Sequence, residues 1–143
     1  TPTTADSREH SWLGLTDMPV MTLTGDGDDR CHNRFACADG DSPANRRLPF
    51  DRMPAGDKFL MFVDDPASTE IVSSHEMFGS LDRVDVCRSP SLATECASTV
   101  KWIKSSTIAF LDAYVAGEVK AKAWLRSRAL EKASAGIATI ERK

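Results

Sequence analysis

The sequence predicts an α/β fold in which a short parallel sheet carries flanking helices. Three observations predict it. Residues 18–24 and 58–63 are brief apolar runs that do not alternate with polar residues, as in strands covered on both faces. From Ser98 onward apolar residues recur at helical spacing instead. The order of strand, long loop, strand, loop and helix is that of the last portion of an α/β sheet.

The elements follow in chain order. Residues 1–17 form a polar lead-in loop whose sizeable apolar anchors are Trp12, Leu13 and Leu15. Pro19 opens the first strand, where its missing N–H costs little, and Gly25 closes the run. Residues 25–57 are rich in Gly, Asp, Asn, Arg and Pro, and so long a loop is usually functional or disordered. Within it, Pro49–Lys58 reads as a short or helical turn into the second strand, Lys58–Val63, which Asp64-Asp65-Pro66 ends. Residues 66–97 are again polar. Val100, Ile103, Thr107, Phe110, Leu111 and Tyr114 mark a helix over 98–116, with Ser98 as N-cap and Gly117 as stop. A second helix from Glu118 carries Val119, Ala123, Trp124 and Leu125, and residues 133–143 form a small, weakly apolar tail. The whole of 1–143 reads as one segment. Two buried strands need neighbours, expected from another chain or from an N-terminal half.

Composition excludes several classes. The chain has 143 residues, with 41% hydrophobic and 27% charged, ordinary values for a globular protein. A net charge of −3 with interspersed signs gives no electrostatic reason to expect nucleic acid or an anionic membrane as partner. The longest apolar runs fall far short of a bilayer span. Thr1–Asp6 has neither a charged nor an apolar leader region, so no signal peptide is expected within the chain. Four cysteines form two local pairs, Cys31 with Cys37 and Cys87 with Cys96. They are either disulfides, which would place the protein outside the cell or in a periplasm, or four reduced thiols. Zinc is disfavoured, because Cys31-His32 and Cys37 lack the two-residue knuckle spacing.

The chemistry-bearing residues cluster at strand ends. In open α/β sheets reactive side chains sit at the carboxyl ends of strands. Asp26, Asp28 and Asp29 lie just past the first strand, and His75 follows the second. A histidine base needs a carboxylate on its other ring nitrogen, so this order gives two members of a nucleophile–histidine–acid triad. Asp28 is the first choice of acid, Asp29 the second and Asp26 the third. As turn formers these aspartates need no function at all. His10 and His32 have weaker claims than His75. No Gly-x-Ser-x-Gly elbow exists, and Ser80 after Gly79 lacks the second glycine. Asp26-Gly27-Asp28 also begins like a calcium loop, with Asp39 and Asp41 as further oxygens. Arg30 spoils the third ligand position.

These stretches resemble a known family. Met18-Pro19-Val20-Met21-Thr22-Leu23-Thr24-Gly25-Asp26-Gly27-Asp28-Asp29 is similar to the acid strand of α/β-hydrolases, in particular esterases like dienelactone hydrolase and platelet-activating-factor acetylhydrolase. Pro49-Phe50-Asp51-Arg52-Met53-Pro54-Ala55-Gly56-Asp57-Lys58 resembles their turn before the last strand. Ser74-His75 with Phe78-Gly79 resembles their histidine loop, although the family often has aspartate where Ser74 stands. Phe110-Leu111-Asp112-Ala113-Tyr114 with Ala123-Trp124-Leu125 resembles their C-terminal helix. The resemblance covers roughly residues 15–128 and implies the C-terminal part of an α/β-hydrolase sheet. It implies part of a serine carboxylesterase or lipase-like acyl hydrolase acting on an ester, without cofactor or metal. Asp28 would be the triad acid and His75 the base. The serine would lie in an N-terminal hydrolase segment or subunit acting as partner, so the chain alone is expected to be inactive. Two alternatives stand beside this reading: a non-catalytic hydrolase-derived binding subunit, and a small calcium-binding module.

Overall fold

Two apolar hexapeptides lie side by side at the centre of the structure, a computed structural model that describes residues 12–26, 43–64 and 93–143. Strands β1 (Val20–Gly25) and β2 (Lys58–Val63) pair in parallel, with Val20 opposite Lys58 and Gly25 opposite Val63. Strand β3 (Ala138–Arg142) runs antiparallel along the other side of β2, with Phe59 opposite Arg142 and Val63 opposite Ala138. The order β1-β2-β3 makes a small mixed sheet with β2 in the middle. That position explains the composition of β2. Lys58, Phe59, Leu60, Met61 and Val63 are all buried, because a central strand covered on both faces has no solvent side to give to polar residues.

Helices cover both faces. Successive side chains of a strand alternate between faces. Phe59, Met61 and Val63 therefore share one face with Met21, Leu23, Ala138 and Ile140. On it pack the long helix and two short ones. Helix α1 (Pro43–Arg52) lies against β1 and β2 and buries Phe50, with Met53 just after it. Helices α2 (Ala93–Tyr114), α3 (Val119–Leu125) and α4 (Ala129–Ala133) supply Ile103, Phe110, Tyr114, Leu125 and Leu130 to the first face. Phe59, Phe110 and Tyr114 form an aromatic group with centroids 5.1–6.2 Å apart, within the range of favourable ring contacts. This is an α/β architecture, as the apolar runs predict, and the Ile103, Phe110 and Tyr114 face does meet the sheet.

Several boundaries differ from the sequence expectation. Helix α2 begins at Ala93, five residues before the expected Ser98 cap, and buries Cys96 in the added turn. Its end agrees: Gly117 adopts φ +77°, and Glu118 N–H reaches back to Asp112 C=O at 2.8 Å. The stretch expected as loop over 25–57 contains α1, with Pro49 inside it. The tail at 133–143 is not a tail but holds β3. Its Ala138 and Ile140 point into the core. The outer edge of β2 is thus filled by the chain itself rather than by a second chain. The outer edge of β1 has no strand beside it among the described residues.

Candidate functional site

The parallel register of β1 and β2 brings their carboxyl ends together, Gly25 beside Val63. Sequence reasoning places its candidate chemistry there. Thr24 and Gly25 are buried, and Asp26 follows them half-buried. Asp26 Oδ1 is sequestered from solvent and has no hydrogen-bond partner among the described residues. Buried carboxylate oxygens are ordinarily satisfied, because an unpaired one forfeits its hydration without return. On the β2 side, Asp64 is exposed, and its N–H donates to Ile137 C=O at 2.8 Å. That bond ties the end of β2 to the turn before β3. In this turn Ala135 and Gly136 both adopt positive φ, +53° and +93°. Ser134 Oγ, buried, accepts the Ala138 N–H at 2.9 Å and so fixes where β3 starts.

The opposite end of the pair is built from charges. Lys58 is 1% exposed, and its Nζ donates to Met18 C=O at 2.6 Å and Thr16 C=O at 3.2 Å. A buried ammonium needs such oxygens, and here they fasten the lead-in segment over the start of β2. Next to it, Asp57 accepts from Lys122 Nζ at 2.9 Å and from Arg126 at 2.6 Å. Burial pushes the Asp57 carboxyl up, but these two donors outweigh burial and hold its pKa to about 2. Tyr114 adjoins the cluster, and burial together with the neighbouring Asp57 pushes its hydroxyl up to about 12. The Gly56-Asp57-Lys58 turn and the α2–α3 segment, two of the stretches that carry the family resemblance, therefore touch each other in space. Their contact is structural.

Of the residues singled out by sequence, Asp26 is the one acid candidate that the structure describes. Asp28, Asp29 and His75 lie outside the described residues, as do His10, His32, Asp39, Asp41 and Ser80. The same holds for Cys31, Cys37 and Cys87; Cys96 is 1% exposed and is not a free thiol. Among the described residues no group of three or more His, Cys, Asp or Glu could hold a metal ion. No helix among them is long and apolar enough to cross a membrane. Sequence reasoning missed the cations Arg126, Arg142 and Lys143. They are widely separated from Gly56 in the chain; the pairing of β3 with β2 brings Arg142 and Lys143 to it, and the ion pair with Asp57 brings Arg126.

The chain matches no family model, no curated protein and no solved structure.

Proposed function

We propose that this chain is the C-terminal part of a serine carboxylesterase or lipase-like acyl hydrolase. In this reading Asp28 and His75 are its triad acid and base. The nucleophilic serine is carried by an N-terminal hydrolase segment or subunit. One observation carries the reading. β1 and β2 are parallel and in register, so the segments bearing Asp28 and His75 leave the sheet from adjacent carboxyl ends. That is where α/β sheets place their reactive groups. An antiparallel pair would have sent the two segments to opposite ends. The strand-free edge of β1 offers a place for the strand of the serine-bearing segment.

The chemistry then follows the triad logic. The serine hydroxyl attacks the ester carbonyl as His75 takes its proton, and backbone amides beside the serine stabilise the oxyanion. Collapse breaks the ester C–O bond, and His75 passes the proton to the departing alcohol. Water, deprotonated by His75, then releases the acid from the acyl-serine. Asp28 holds the imidazole tautomer and stabilises its cation throughout.

The test is co-purification of the chain with any serine-bearing partner, followed by a nitrophenyl ester assay. The expected result is ester cleavage by the complex that His75→Ala abolishes and Asp28→Asn lowers by about 10⁴-fold. Cleavage unchanged by His75→Ala removes this chain from the mechanism. A complex with no cleavage favours the non-catalytic subunit, a reading that the missing serine elbow supports.

A further inference from the structure

At the end of the sheet away from Asp26, the amino end of β2 and the carboxyl end of β3 border an open cavity of about 510 Å³. Gly56, Phe59, Arg126, Arg142 and Lys143 line it. Three of these five residues are cations and none is an acid. The nearest described carboxylate, Asp57, already accepts from Lys122 and from Arg126. Glu141, next to Arg142 in the chain, belongs to the other face of β3 and takes a bidentate pair from Arg47 at 2.5 and 2.6 Å. The carboxylates of Asp57 and Glu141 are thus committed to cations.

The donors are not all used. Arg126 gives one terminal N–H to Asp57 and retains its others. Lys143 Nζ donates to Asp51 C=O at 2.7 Å and Met53 C=O at 3.0 Å, which neutralise no charge and leave one ammonium N–H. Those bonds also hold the ammonium in place against the end of α1. Arg142 stands opposite Phe59 in the β2–β3 ladder and is exposed, with its guanidinium fork available. Gly56 has φ +143°, and a Cβ there would be in ordinary van der Waals contact with Lys58 Nζ and the Thr16 carbonyl oxygen, both at 3.7 Å. The Lys143 ammonium is held at the end of α1 over the Phe50 ring, so the cations left to the concavity are the guanidinia of Arg142 and Arg126, and guanidinium forks match phosphate oxygens in pairs.

We propose that this cavity is an oxyanion-binding site for a phosphorylated small molecule, separate from the carboxyl-end site. Arg142 is its main recognition residue and Arg126 the second. Occupancy would add a charged bridge between β3, α3 and the turn before β2.

The test is titration of the ¹⁵N-labelled chain with inorganic phosphate at ionic strength held constant with sodium chloride, read from amide and arginine side-chain shifts. A parallel arm uses sodium acetate. Saturable shifts at Gly56, Phe59, Arg142 and Lys143 are expected with phosphate. Arg142→Gln should weaken binding by about tenfold, the worth of one charge-assisted contact pair. Arg128→Gln, a surface change outside the cavity, should leave it unaltered. Shifts that fail to saturate, or that persist unchanged in a folded Arg142→Gln variant, would overturn the site. An acetate response equal to that of phosphate would overturn the phosphate assignment. The spectrum of each variant reports its folding, so loss of binding and loss of structure are read separately. None of these outcomes depends on ester cleavage.

Discussion

The two ends of the β1–β2 pair are built on different terms. At the amino end the charged groups find opposites, while Tyr114 Oη is buried with no hydrogen-bond partner among the described residues. Lys58 is held by two lead-in carbonyls, Val20 N–H by Asp57 C=O, and the Asp57 carboxylate by Lys122 and Arg126. At the carboxyl end a backbone bond from Asp64 anchors β2, while Asp26 has a buried oxygen with no hydrogen-bond partner among the described residues. Among the described residues the amino end fastens the sheet to its helices through ion pairs, and the carboxyl end is held by backbone bonds; each carries one orphan, a hydroxyl on Tyr114 and a carboxylate oxygen on Asp26. Removing groups at the first end should therefore cost stability, and removing the orphan at the second should not.

The largest expected effect is at Phe59, at the base of the fastened end. It is 1% exposed and touches Phe110 and Tyr114. Phe59→Ala leaves a cavity between β2 and α2 and should cost about 3–5 kcal/mol in a urea unfolding experiment. A loss below about 1 kcal/mol would mean that the α2–α3 layer is not packed on β2, and the holding role would fall with it.

The middle effect is at Asp57 and depends on pH. Its carboxyl pKa is about 2 in the fold against an ordinary 3.8, so the unfolded chain takes up its proton first as pH falls. The stabilisation is therefore full above about pH 4 and is lost as pH drops through 2. Its side chain is 27% exposed and both partners are more exposed, so solvent screening reduces the contribution to about 1 kcal/mol. Asp57→Asn should lower neutral-pH stability by that amount and flatten the acid side of the stability profile. An acid side as steep as in the unaltered protein would show that Lys122 and Arg126 do not discriminate the charged form.

Much of this arrangement was legible before any coordinates. The run Lys58–Val63 predicted β2 to the residue, because five consecutive apolar side chains fit only a strand covered twice. The stop at Gly117 was legible because a left-handed residue is needed where α2 turns into α3. The start of α2 was not: Cys96 is a weak helix former, and it is helical because it packs inward, which is a tertiary fact. Strand β3 was hidden for a similar reason. Its Ala-Thr-Ile-Glu-Arg alternation is short and Ala138 is small, and the turn that launches it includes Ala135 at φ +53°, where glycine would have been the clearer signal. Of the candidate site, the clustering of acids after β1 was readable, but the unfilled oxygen on Asp26 was not. Whether an acid finds a donor depends on what the fold brings to it.

That oxygen sets the smallest and most discriminating prediction. Asp26→Ala removes an acceptor that has no partner to lose, so stability should stay within about 1 kcal/mol of the unaltered protein or rise. Stabilisation at such a position is the mark of a residue kept for something other than the fold. A loss above about 2 kcal/mol would mean that the oxygen is satisfied and that the two ends are alike. The same variant also divides the acid role. If the chain is part of the proposed hydrolase, Asp28→Ala should abolish ester cleavage while Asp26→Ala retains it. The reverse result would move the triad acid to Asp26. The acid would then sit directly at the end of β1, and its buried oxygen would be the one that receives the histidine N–H.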